Sequence, residues 1–399
     1  MQSPLQKTNI HPAWALIGIL LIAANLRAPF TSVAPLLGEL RSMFSFSATQ
    51  AGLLITLPLL AFAAVSPFAA GLAKRWGLER VLFLSLLGIA AGIALRSTGS
   101  VRTLFLGTCI IGAAIAIGNV LLPSLLKRDY PKQVAPLTSL YVLVMGIAAA
   151  GCSVLAVPLS NFPGFDWRAV MGSAIVLPAI AVLAWLPRLR TGSGVAQVVG
   201  TRTEKALLRK SPLAWQVTFY LGLDCFLYYV GVSWLPAILQ DAGYTTTQAG
   251  SLHGVLLLST ALPGLLLIPL VPKLRDQRAL ASLLSLSIVI GLLGLTLAAQ
   301  WAVVWILFFG FGAGGGLILA LAFISLRTSH AEDAAGLSGM AQCLGYSLAA
   351  AGPPLIGRLH DLGGNWSLPL GLCAILGVSM ACVGLLAGRN LQIAVPSPA

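Results

Sequence analysis

The chain is 399 residues long, 58% hydrophobic and only 9% charged, whereas a soluble domain carries about 25% charged residues and needs them to coat its surface. A soluble enzyme of this size is excluded, and so is a small outer-membrane β-barrel, whose strands alternate apolar with polar residues where this chain has continuous apolar runs. The net charge of +13 fits loops that mark one side of a membrane and not a nucleic-acid surface.

Each bilayer-spanning helix needs roughly 20 apolar residues. Apolar windows between charged or turn-rich punctuation predict six spans in the first half of the chain, over residues 13–38, 48–73, 80–98, 103–126, 135–160 and 167–187. Six more are predicted in the second half, over residues 213–239, 247–272, 279–299, 301–326, 335–357 and 366–387. The expected fold class is an all-α membrane protein of twelve transmembrane helices in two pseudo-symmetric six-helix bundles. Its expected organisation is a cytoplasmic segment 1–12, a first bundle 13–187, a linker 188–212, a second bundle 213–387 and a cytoplasmic tail 388–399. The first run is too long for a cleavable signal peptide and further spans follow it, so it is expected to stay in the mature protein.

Charge sets the expected orientation. With both termini in the cytoplasm, 18 of the 24 Lys and Arg fall in inner segments, including Lys7, Lys74, Arg75, Arg80, Lys127, Arg128, the six basic residues of the linker from Arg188 to Lys210, Arg327 and Arg389. Five fall outside, namely Arg41, Arg96, Arg102, Arg168 and Arg358. The excess of Lys and Arg predicts both ends inside. These basic groups read as topology signals or as parts of a gate. Cys109, Cys152, Cys225, Cys343, Cys373 and Cys382 all lie in apolar runs without metal-ligand spacing. They read as packing residues, and no disulfide, metal or cofactor is expected.

The halves repeat. Thr49-Gln50-Ala51-Gly52 opens the second span and Thr247-Gln248-Ala249-Gly250 the eighth, an offset of 198 residues. Gly112 and Gly118 recur as Gly310 and Gly316 at the same offset. Two matches in one register support a duplicated six-helix unit, as in carriers built from parallel repeats. The glycine runs 310–316 and 146–151 permit close helix contact. Neither is a nucleotide loop, since no GxxxxGK[ST] pattern or preceding strand accompanies them.

Polar groups inside the spans carry the functional reading. Arg27 stands about 20 Å of helix from Trp14 and about 17 Å from Gly38, near mid-membrane. An arginine there costs at least about 2.5 kcal/mol, and such residues face cavities and substrate paths or hold fixed salt bridges. Pro29 and Pro35 loosen the helix beside it. Asp224 is the only acid well inside a span. Adding the repeat offset to Arg27 gives position 225, so the two charges are expected to face one another across the halves, as a gate, a proton-sensitive coupling site or a permanent ion pair. His253 is a second gating or coupling candidate. Asn25, Asn119, Tyr141, Tyr228, Gln342 and Tyr346 join Arg27 as candidate substrate-binding residues, the few orienting groups of a mostly apolar pocket, or serve as interhelical hydrogen bonds. Gln216 and Tyr229 are further polar positions in spans.

Twelve helices in two repeated halves resemble the major facilitator superfamily. Gly71 through Gly77 with Arg80 sit where that superfamily carries its loop motif between the second and third spans, with Lys74 in place of the usual aspartate. Residues 26–37, from Leu26-Arg27-Ala28-Pro29 to Leu37, resemble the first span of the cyanate and 2-nitroimidazole transporter branch. Ser211-Pro212-Leu213-Ala214-Trp215, Trp234-Leu235-Pro236, Ser251-Leu252-His253-Gly254, Ser338-Gly339-Met340-Ala341-Gln342 and Gly364-Asn365-Trp366 lie nearest the nitroimidazole side of that branch. The resemblance covers about residues 10–390. It implies a secondary transporter of the bacterial inner membrane, not an enzyme, which moves a small polar or weakly anionic solute by alternating access, with export as the expected direction. The bilayer and the solute are its expected partners, protons a candidate coupling ion, nucleic acid none, and a monomer the expected state. A proton-driven multidrug exporter of the same superfamily is the alternative, and a non-transport membrane protein the remote one.

Overall fold

The computed structural model describes residues 12–31, 33, 36–46, 48–160, 162–164, 166–190, 208 and 210–393, and among these every regular element is helical. Most of the predicted linker, the segment before residue 12, the last six residues and Pro35 lie outside the described residues. The first half of the chain forms α1 (Pro12–Asn25), α2 (Ala28–Thr31), α3 (Leu37–Phe44), α4 (Ala48–Trp76), α5 (Leu78–Arg96) and α6 (Val101–Asp129). It is completed by α7 (Val134–Ser160), α8 (Trp167–Ser173) and α9 (Val176–Arg190). The second half forms α10 (Pro212–Asp241), α11 (Thr246–Ser259), α12 (Leu262–Leu270), α13 (Arg278–Leu297), α14 (Ala302–Leu326), α15 (Ala331–Gly363) and α16 (Ser367–Ala387).

Among the described residues, eleven helical stretches are long and apolar enough to cross a membrane. The remaining predicted span, residues 335–357, lies within α15. That helix has 33 residues, about 50 Å at 1.5 Å per residue. It packs against α4, α6 and α10, and it carries polar residues such as Ser338 and Gln342 that are buried by protein.

The first predicted span is not one continuous helix. Leu26 and Arg27 form a turn between α1 and α2. A proline ring clashes with the carbonyl four residues earlier, and Pro29 stands four residues after Asn25, the last residue of α1. The same spacing explains the other two interruptions. Pro263 follows Ser259, where α11 ends, and Pro178 follows Ala174 in the turn between α8 and α9.

Shifted by 198 residues, α4 falls on α11 and α12, α5 on α13, α6 on α14, α7 on α15, and α8 with α9 on α16. The principal contacts across the halves are α4 with α15, α6 with α15, α7 with α12 and α7 with α14. The first and third are repeat images of one another, and so are the second and fourth. Gln248, in the repeated Thr-Gln-Ala-Gly string, closes the N-terminus of α11 as a capping box. Its amide N–H donates to the Thr245 hydroxyl at 3.2 Å, and its side-chain oxygen accepts from the Thr245 amide at 2.9 Å.

Candidate functional site

The turn between α1 and α2 carries Arg27 to the centre of the bundle. Its Nη2 donates to the Tyr228 hydroxyl on α10, and its Cζ lies 4.9 Å from the Tyr228 ring centroid. A cation of the first half is thus held by an aromatic residue of the second. Around this pair is a cavity of about 50 Å³, lined from the first half by Phe30, Phe62 and Asn119 and from the second by Asp224, Tyr229 and Tyr346. Phe62 meets Tyr346 edge to face at 4.7 Å across the halves, and Tyr228 meets Tyr229 at 5.1 Å. A water needs about 10–15 Å³ of such space. The cavity therefore has room for a few waters and none for a ring.

Asp224 is 1% exposed, and its Oδ1 is buried without a hydrogen-bond partner. A Cβ on Gly316 would stand 2.1 Å from that oxygen, so only glycine leaves the carboxylate its place. A Cβ on Gly314 would likewise meet the Thr260 carbonyl at 2.0 Å, beside the interruption of α11 and α12. The glycine run of α14 thereby brings a helix wall against the site. Arg27 and Asp224 share the cavity, but no ion pair within 4.0 Å joins them, and Tyr228 receives the Arg27 hydrogen bond.

Of the residues singled out by sequence, Arg27, Asn119, Tyr228, Tyr346 and Asp224 come together on this wall. Gln342 stands beside it and donates to the Asn119 carbonyl at 3.0 Å and to Ser338 at 2.9 Å. Asn25, fully buried, donates back to the Leu21 carbonyl at 2.8 Å within its own helix. Tyr141 is packed in the apolar core outside the lining. His253 joins α11 to α10 through the Val232 carbonyl at 3.0 Å and does not line the cavity. The lining residues that sequence did not single out are mostly apolar, Phe30, Phe62 and Met145 among them.

Two arginines counted by sequence among the charges that mark the membrane's two sides are buried. Arg96, placed on the outer side, is 0% exposed in the last turn of α5. Its Nη1 donates to the Pro29 carbonyl at 2.7 Å, so it supports the backbone two residues beyond Arg27. Arg327, placed in an inner loop, is 2% exposed and donates to the Ala387 carbonyl at 2.9 Å, to the Gly388 carbonyl at 3.2 Å and to Gln277. It caps the C-terminus of α16, where the helix dipole favours a cation. Burial pushes its guanidinium down to about 10. In the first half the corresponding groups are ion-paired, Arg128 with Glu79 at 2.6 Å and with Asp129 at 2.7 Å, and Arg188 with Asp129.

Toward this basic end the halves are latched together. Ser325 donates to the Pro123 carbonyl at 3.0 Å, and Ser124 to the Ala331 carbonyl at 2.7 Å. The site is thus built from both halves, and hydrogen bonds join the halves at one end.

Residues 15–350 match the family model of the Major Facilitator Superfamily. The chain belongs to this superfamily. It is 51% identical to a 2-nitroimidazole transporter of Escherichia coli (strain K12), over 94% of this chain and 95% of that one. It is 27% identical to the cyanate transport protein CynX of the same organism, over 93% of this chain and 96% of that one. Its fold is similar to that of the superfamily's proton:xylose symporter XylE bound to 6-bromo-6-deoxy-D-glucose, with a TM-score of 0.76, 13% identity and 94% of each chain covered. This superfamily member is a multi-pass membrane transporter of solutes and not an enzyme, and the resemblance carried by the sequence motifs holds.

Proposed function

We propose that this transporter moves a small, planar, polar or weakly anionic solute, of the nitro-heterocycle or cyanate kind, out across the bacterial inner membrane by alternating access. The observation that carries this reading is Arg27, a guanidinium at a helix interruption whose hydrogen bond to Tyr228 bridges the halves inside an aromatic cavity. A nitro group or a delocalised anion offers paired oxygen acceptors, or a single charged end, to a planar donor. Phe30, Phe62, Tyr229 and Tyr346 give a flat ring faces and edges to pack on. Solute replaces Tyr228 as the partner of Arg27, and the halves rock once the Ser124 and Ser325 hydrogen bonds part. The names of the two relatives, a 2-nitroimidazole transporter and a cyanate transport protein, support this solute class.

The test is transport in proteoliposomes, loaded or external with 2-nitroimidazole or cyanate, for wild type, Arg27→Lys and Arg27→Ala. Loss of a charged hydrogen bond to solute is worth about 1.5–3 kcal/mol, roughly 10- to 100-fold in affinity. Unchanged affinity for both solutes in an Arg27→Ala protein that still inserts ends this reading.

The second reading, a proton-driven exporter of broader specificity, is favoured by the buried Asp224 oxygen that lacks a partner. Protonation would satisfy the carboxyl there and change its pull on Arg27. Asp224→Asn should abolish the response of transport to an imposed pH gradient. A gradient response that survives the substitution excludes Asp224 as the proton carrier.

A further inference from the structure

A second cavity, of about 360 Å³, lies away from the central site between α4, α10 and α15. That volume falls within the range of about 300–1,000 Å³ typical of small-molecule pockets. Among the described residues its walls carry no charged side chain, with Pro67 and Ala70 on α4, Trp215 on α10, and Met340 and Cys343 on α15, and Leu208 closing one side. Around its mouth the chain presents large apolar side chains outward, with Phe68 66%, Phe219 48% and Leu348 38% exposed. In a membrane protein such a face meets acyl chains.

Basic residues stand close in sequence to the lining. Lys74 stands four residues after Ala70 and seven after Pro67, on the same stripe of α4, and is exposed. Lys210, also exposed, lies between two lining residues, Leu208 and Trp215. Arg75 and Arg80 add positive charge near the end of α4, against Glu332 and Asp333 at the start of α15. An apolar slot with lysines at its end matches the two parts of a phospholipid, and each basic residue near a headgroup favours an anionic one.

We propose that this groove is a binding site for one anionic phospholipid of the surrounding bilayer, with an acyl chain in the slot and the phosphate held by Lys74 and Lys210. The site sits on the α4–α15 contact across the halves, so a bound lipid would weight how readily they separate.

Native mass spectrometry of the full-length protein, released from micelles supplemented with phosphatidylglycerol or with phosphatidylcholine, tests this. The wild type should retain one phosphatidylglycerol in preference to phosphatidylcholine. Lys74→Gln and Lys210→Gln should each reduce that preference roughly fivefold, the effect of one basic residue. Cys343→Trp, which fills the slot, should remove the retained lipid while leaving the thermal transition of the detergent-solubilised protein in place. Should Cys343→Trp unfold the protein, Cys343→Phe and quenching of Trp215 fluorescence by brominated phosphatidylglycerol take its place. Equal retention of both lipids by the wild type, or retention unaffected by the lysine and slot-filling variants, overturns the proposal.

Discussion

Gly118 and Gly316 stand 198 residues apart, and so do the residues they touch. A Cβ on Gly118 would meet a terminal methyl of Leu26 at 2.5 Å, and a Cβ on Gly316 would meet the Asp224 carboxylate at 2.1 Å. The same helix crossing thus exists twice, with an apolar side chain in the first half and an acid in the second. At the basic end of the bundle the register holds again. Glu79 occupies the position of Gln277, and Arg128 lies within one residue of the position of Arg327. The first half ion-pairs its basic end, whereas the second directs its arginine to an amide and to helix carbonyls. Duplication kept the backbone packing and let the chemistry diverge, leaving one half with Arg27 at the centre and the other with Asp224.

The comparison can be broken most severely at Arg327. Arg327→Ala strips the cap from α16 and leaves Gln277 and two carbonyls without their donor, a loss expected at about 3–5 kcal/mol. The lowered thermal midpoint of the protein in detergent measures it. A loss as small as that of a surface charge would show that the cap is ornamental.

Gly316→Ala and Gly118→Ala sharpen the contrast at the centre. The alanine at 316 displaces Asp224, with an expected loss of about 1–3 kcal/mol and impaired transport. The alanine at 118 presses on the flexible end of Leu26 and should cost clearly less. Equal losses in melting and in solute flux would mean that Asp224 is not what Gly316 accommodates.

Asp129→Asn comes next. It weakens the grip on Arg188 and Arg128, whose side chains are 10% and 28% exposed, so solvent screening limits the effect to about 1–2 kcal/mol. High salt should shrink the difference between variant and wild type, because it screens partly exposed charges.

The smallest effect expected is a gain. Gln277→Glu gives Arg327 the counter-charge that Glu79 already supplies to Arg128, worth about 1 kcal/mol at neutral pH. A carboxylate beside a guanidinium has its pKa depressed in the folded state. The gain is therefore complete above the ordinary glutamate value of about 4.3 and lost as pH falls through the lower folded value. Melting curves of variant and wild type that stay parallel from pH 7 to pH 3 would contradict this.

The spans were legible because lipid demands long apolar runs, and their interruptions follow from the prolines at 29, 178 and 263. Arg27 and Asp224 were legible because a charge at mid-membrane is expensive enough to need a reason. Phe30, Phe62 and Met145 were not, since an apolar residue facing a cavity has the same identity as one facing lipid. The burial of Arg96 and Arg327 was not legible for a related reason. At a span end, sequence does not distinguish an arginine that reaches toward water from one that turns inward to a carbonyl. Asn25 and Tyr141 were picked for polarity and depth, but the face of the helix they occupy is fixed by packing.

A centre with room for only a few waters makes affinity a property of the whole molecule. On the function proposed above, a solute of ring size would bind only those copies whose halves have opened, and its apparent dissociation constant would be the intrinsic one divided by that open fraction. Ser124 and Ser325, which are not among the lining residues, would then set measured affinity as directly as Arg27. Substitutions there alter it by shifting the population, with the solute contacts themselves unchanged.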